Sequence, residues 1–218
     1  MRKTLALIIL LFCIISLCVS RYIYATTIEN LIVIDPGHGG VDGGCVAKDG
    51  TEEKDINLEV SIILKEALEK KGFNVLLTRD GDYDLASKES ENRKREDIHK
   101  RVKIINESGA KLYLSIHVNY YPNAEISGSQ VFFKKGSDNS KVLGVLMQNS
   151  LKEKLGNTKR FAKEINDKYL VDNVNIPGVL IEIGFLSNSE ELLNLKNGEY
   201  QKRLSEAICS GVVNYLNL

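Results

Sequence analysis

This sequence is short of several things that would narrow its function quickly. It has four cysteines, and Cys13 and Cys18 fall in an apolar N-terminal stretch. Only Cys45 and Cys209 remain, too few for a disulfide framework. It has no net charge, with 29 basic and 29 acidic residues. Arg2, Lys3 and Arg21 are the only charges before residue 26, so the rest of the chain is slightly acidic. Duplex nucleic acid needs a basic face, so no nucleic-acid partner is expected. There are three prolines, no Pro- or Ser-rich linker and no internal repeat. A chain of 218 residues that is 43% hydrophobic then suits one globular domain with a sizeable core.

The N-terminus reads as a leader. Met1-Arg2-Lys3 is basic, and Leu5 to Val19 is apolar except for Ser16. That run is shorter than the ~20 residues of a bilayer span and has the length of a signal-peptide core. Residues 1–25 are therefore expected to direct export, either as a cleaved signal peptide or as a retained anchor. This leader is the one expected membrane contact. Such a leader would carry the rest of the chain across the cytoplasmic membrane. Residues 26–218 form the expected working domain.

The body alternates short apolar runs with amphipathic stretches. Strands are predicted at Leu31–Ile34, Phe73–Thr78, Leu112–Ile116, Ser129–Lys134 and Val179–Ile183, with a short edge strand at Tyr169–Val171. Helical spacing covers Asp55–Lys71, Glu91–Glu107, Asn139–Leu155 and Tyr200–Tyr215, and Asn188 reads as an N-cap. Val142, Leu143, Leu146 and Leu151 are expected to face inward. Gly81–Ser90 reads as a loop and Gly156–Asp167 as a loop or partly helical flap. The alternation implies an α/β fold: a single domain, with a twisted, mostly parallel sheet of about six strands and helices on both faces. Ligands of such sheets gather at the C-terminal strand ends.

Chemistry collects at those ends. Leu31-Ile32-Val33-Ile34 runs into Asp35-Pro36-Gly37-His38-Gly39-Gly40, and Leu112–Ile116 runs into His117. Proline stops a strand and the glycines allow a sharp turn, which leaves His38 facing open space. The third histidine, His99, lies in a charged run and reads as a solvated helix position. Two imidazoles on one rim, with no cysteines at strand ends, favour a catalytic zinc site, in which three protein donors leave one position open. Glu53 is the candidate third donor and Glu52 its competitor. The acidic pair could equally be favourable charge at a helix N-terminus. Glu182 sits among apolar strand neighbours, so it needs either an ion-pair partner or a role as general base. Asp35 is either a group that orients His38 or only a turn former.

These residues carry a resemblance. The segments Ile32–Gly40, Glu53-Lys54-Asp55-Ile56-Asn57-Leu58, Thr78-Arg79, Arg101 with Asn106, Ser115–Asn119 and Leu180–Asn188 resemble, in order, the zinc-dependent N-acetylmuramoyl-L-alanine amidases of the amidase-3 family. Together they span roughly residues 31 to 216. The resemblance implies Zn2+ held by His38, Glu53 and His117, and Glu182 as the catalytic glutamate. It implies cleavage of the amide between N-acetylmuramic acid and the L-alanine of the peptidoglycan stem peptide. One departure is Asp42-Gly43-Gly44-Cys45, where family members often read Asp-Pro-Gly-Ala; Cys45 is then a buried small thiol in an alanine position, not a metal ligand. A lone domain behind a leader resembles the sporulation subgroup, which acts on spore cortex and prepares sites for muramic-δ-lactam. Some family members are partner-activated, which raises the expectation of an activating protein here. The competing readings are a zinc peptidase of stem peptides and a catalytically silent peptidoglycan-binding protein.

Overall fold

The computed structural model describes residues 9–17, 19 and 30–218. Most of the leader therefore lies outside the described residues. Residues 9–17 and 19 are helical, with exposed apolar side chains such as Leu11 and Phe12. No helix among the described residues is long and apolar enough to cross a membrane.

The elements run β1 (Leu31–Pro36), α1 (Glu53–Glu69), β2 (Asn74–Leu77), α2 (Arg93–Glu107), β3 (Leu112–Asn119), β4 (Gln130–Lys134), α3 (Asp138–Leu155), β5 (Lys163–Ile165), α4 (Tyr169–Asn173), β6 (Gly178–Phe185), α5 (Ser189–Leu195) and α6 (Gly198–Leu216). They build a six-stranded sheet in the order β2-β1-β3-β6-β4-β5. The strands from β2 to β6 are parallel, β4 joins β6 antiparallel, and β5 runs parallel to β4.

Alternation along each strand divides the core between two faces. Ile32 and Ile34 of β1 and Leu112, Leu114 and Ile116 of β3 pack into a large cluster with Ile56, Val60 and Leu64 of α1, Leu143, Met147 and Leu151 of α3 and Leu204, Ile208 and Val212 of α6. Val33 and Tyr113 point the other way, onto Val102 and Ile105 of α2 and Leu170 of α4. Because both faces are covered, the central strands read as continuous apolar runs. Each fully buried Ile, Leu or Val contributes about 1.5–3 kcal/mol relative to exposure.

The expected architecture is present, with corrections in detail. Tyr169–Val171 is not an edge strand: it opens the short helix α4, burying Leu170 and Val171 in one turn. The edge strand is Lys163–Ile165, inside the stretch read as a loop or flap. On α3, Leu143 and Leu151 face inward as expected and Leu146 is half-buried, but Val142 is 40% exposed and Met147 is the further inward position. β3 continues past Ile116, so His117 lies within the strand and not after it.

Candidate metal centre

β1 ends at Pro36, and Gly37 N–H still donates to the Ile116 carbonyl at 2.9 Å. The chain then turns at His38, whose φ of 61° is the only positive value at a non-glycine among the described residues. Left-handed backbone costs a β-carbon-bearing residue roughly 1–2 kcal/mol, so something must hold it there. Two buried arginines do so. Arg101 donates to the His38 carbonyl at 2.6 Å and the Pro36 carbonyl at 2.6 Å. Arg79 donates to the Pro36 and Gly37 carbonyls at 3.1 and 2.9 Å. Arg79 also reaches the Lys54 carbonyl at 2.8 Å, tying this turn to the first turn of α1.

That first turn carries Glu53, which is buried. One carboxylate oxygen lies 2.9 Å from His117 Nδ1 and accepts Val118 N–H at 3.1 Å. The other accepts Cys45 N–H at 2.9 Å and lies 3.3 Å from His38 Nε2. Burial opposes the charge of Glu53, but His117 and His38 outweigh it and hold the carboxyl well below its ordinary range. Glu52 does not join: it faces Lys54 at 3.1 Å. The His38 and His117 rings meet edge to face with centroids 5.0 Å apart. Donor atoms of His38, Glu53 and His117 all lie within 4.8 Å of one another. Two imidazoles and one carboxylate could hold a metal ion and leave a coordination position open.

Glu182 is the register partner of His117 across the β3–β6 pair. Its Oε2 is buried and has no hydrogen-bond partner among the described residues. Glu182 forms no ion pair among the described residues. Burial pushes the carboxyl up to about 7, moderated by His117 and raised again by Glu53. An orphaned carboxylate oxygen beside a cluster of metal donors fits proton transfer at a nearby reacting atom.

Asp35 neither touches His38 nor merely forms a turn. It is a buried hub that accepts from Thr78 Oγ1 at 2.6 Å, Ser115 Oγ at 2.8 Å and Arg101 Nη1 at 2.9 Å. The residue that orients His38 is Asp42, whose Oδ2 lies 2.8 Å from His38 Nδ1. Against the desolvation of the ring, Asp42 and Glu53 push His38 up to about 9. Sequence reasoning did not single out Asp42 for this role. Its signal was its place four residues after a histidine, in a loop rich in glycine. Asn57 was also missed; it donates to Gly37 O at 3.2 Å and to Glu53 at 3.3 Å. Cys45 is half-buried rather than buried, and neither it nor the buried Cys209 is in a disulfide among the described residues. Desolvation, with Glu53 nearby, pushes the Cys45 thiol up to about 11, so it stays neutral.

An open α/β sheet with a His–Glu–His cluster and an unpartnered acid on its rim defines an α/β protein with a metal-capable centre. Residues 32–214 match the signature of the amidase-3 family, described as N-acetylmuramoyl-L-alanine amidase. The chain belongs to this family and is a peptidoglycan hydrolase of the amidase class. It is 44% identical over 190 residues to the germination-specific N-acetylmuramoyl-L-alanine amidase of Bacillus subtilis, covering 85% of this chain and 79% of that one. Among solved structures it resembles the CwlD amidase from Clostridioides difficile in complex with the GerS lipoprotein. That match has a TM-score of 0.84 and 38% identity, and it covers 86% of this chain and 98% of that one. An N-acetylmuramoyl-L-alanine amidase from Clostridium difficile 630 matches with a TM-score of 0.77 at 30% identity, over 86% and 96% of the two chains.

Proposed function

We infer that this protein is a zinc-dependent amidase that removes stem peptides from spore-cortex peptidoglycan by cleaving the bond between N-acetylmuramic acid and L-alanine. His38, Glu53 and His117 would hold the ion, and Glu182 would be the catalytic residue. The observation that carries this reading is the convergence of those three donors beside the orphaned Oε2 of Glu182. Zinc, when bound, would supply a Lewis acid for the scissile carbonyl and lower the pKa of a water.

The chain's own residues do the rest. Glu182 takes the proton of the attacking water on its carboxylate and passes a proton to the leaving amine of L-alanine. Glu53 stays ionised between the two imidazoles. Asp42 fixes His38 through Nδ1 and leaves Nε2 for the ion. The spore-cortex substrate is supported by the germination-specific relative. Residues 26–218 would act outside the cytoplasmic membrane behind an export leader at 1–25. An activating protein partner is supported by the GerS complex of the Clostridioides difficile relative.

The test uses purified protein, stripped of metal and reloaded with zinc, acting on spore-cortex peptidoglycan. Mass spectrometry should find stem peptides with a free N-terminal L-alanine only with zinc, and Glu182→Gln should slow their release by about 10²–10⁴-fold. Release that persists in the chelated protein, or that proceeds in the variant at the wild-type rate, would overturn the assignment.

A further inference from the structure

A cavity of about 640 Å³ opens from His38 and His117 and runs along the exposed face of α2. Asp42, Arg95 and His99 also line it, with Tyr169 of α4. The His99 and Tyr169 rings lie parallel, 9° apart in plane and 4.6 Å between centroids. His99 is thus exposed, as its charged surroundings predict, but it forms a flat wall with Tyr169. A second hollow on the same helix shares Arg95 and His99, so the depression continues along the helix surface.

The cations of this groove differ in one respect. Arg101 is buried against Asp35 and Asp97 at 2.9 and 2.7 Å. Lys94 lies 3.3 Å from Asp42. Arg95 is exposed, and its guanidinium makes no hydrogen bond and no ion pair among the described residues. Its backbone is fixed on a regular helix, with its N–H bonded to the Asn92 cap at 3.1 Å. A guanidinium whose donors are all free, carried on a regular helix, presents a fork that matches a planar anion. The groove opens directly onto the candidate metal donors, so its occupant is part of the molecule that reacts there. A stem peptide carries carboxylates close to the scissile amide, and no phosphate.

We propose that Arg95 is a specificity residue that binds a free carboxylate of the stem peptide, and that the groove between the metal centre and the His99–Tyr169 pair is the peptide subsite. This rests on the amidase reading. The peptide side of the substrate lies along α2, and the glycan leaves the centre in another direction. Substrates with that carboxylate amidated lose the contact.

The experiment compares zinc-loaded wild type with Arg95→Ala and Arg95→Lys on two glycan-linked peptides. One has an acidic second residue with a free carboxylate, and the other has the same residue as its carboxamide. Alanine is the best helix former, so α2 persists in the variant. Arg95→Ala should raise KM at least tenfold on the free-carboxylate substrate, with kcat within twofold. It should leave KM on the amidated one unchanged, and Arg95→Lys should fall between. Equal behaviour of wild type and Arg95→Ala on the free-carboxylate substrate would overturn the assignment, as would an equal loss on both substrates. If the wild type cleaves neither, the amidase reading itself fails and takes the subsite with it.

Discussion

At the scale of single residues, the site rests on close contacts around its two imidazoles. A β-carbon on Gly37 would clash with the His117 ring. Gly37→Ala should therefore displace that imidazole and weaken zinc binding, measured by competition with a chromophoric chelator, while the sheet still folds. Asp42→Ala removes the partner of His38 Nδ1, and an affinity loss of about 10–100-fold is expected in the same assay. Glu182 has a pH consequence. Burial holds its carboxyl near 7, and a general base works only when ionised, so kcat/KM should fall as pH drops through that region. A bound cation favours the ionised form and moves this limb to lower pH. Glu182→Gln should remove the limb and cut kcat by about 10²–10⁴-fold, with zinc stoichiometry intact. His38, His117 and the acid Glu182 were legible because each interrupts or ends an apolar run. Asp42 was not, because its approach to His38 depends on a turn that the left-handed backbone at 38 creates. Asp35 was misread for the same reason in reverse: its partners Thr78, Arg101 and Ser115 come from three other segments, and spacing says nothing of them.

At the scale of elements, strands and helices with strong periodicity were legible and the short ones were not. Lys163-Glu164-Ile165 is a three-residue strand at the sheet edge, with its first two residues exposed, so it has no apolar alternation to read. Tyr169-Leu170-Val171 has strand-like composition, yet one helical turn buries Leu170 and Val171 and brings Tyr169 to His99. Here tertiary packing overrides propensity. The cap at Asn188 was legible from residue type and is made: its side chain accepts Glu191 N–H at 3.0 Å. That cap also positions Glu191, whose carboxylate accepts Phe185 N–H at the end of β6 and Gly128 N–H. Asn188→Ala should cost about 1 kcal/mol, read as a lower urea midpoint with an unchanged m-value.

At the scale of the whole molecule, acid stability and metal stability share one end of the sheet. Burial opposes the charge of Asp35, but Arg101, Thr78 and Ser115 more than offset it and hold its folded pKa below the usual value. Its unfolded value is about 3.9. The stabilisation is therefore complete above that value and is lost as pH falls through the lower, folded one. Asp35→Ala leaves Arg101 short of a buried partner and should cost about 3–5 kcal/mol at neutral pH, with a flatter dependence of the urea midpoint on acidification. The donors of the metal centre add a different consequence. Glu53 and His117 are 64 positions apart, and His38 comes from a third segment. An ion gripping all three would act as a removable cross-link, closing loops that an unfolded chain keeps open. Stripping it should raise amide exchange at residues 36–54 and lower the melting temperature, while the amides of β3 and β6 deeper in the sheet keep their protection. The same three side chains that hold the ion would then set how firmly the chain's first half is stitched to its second.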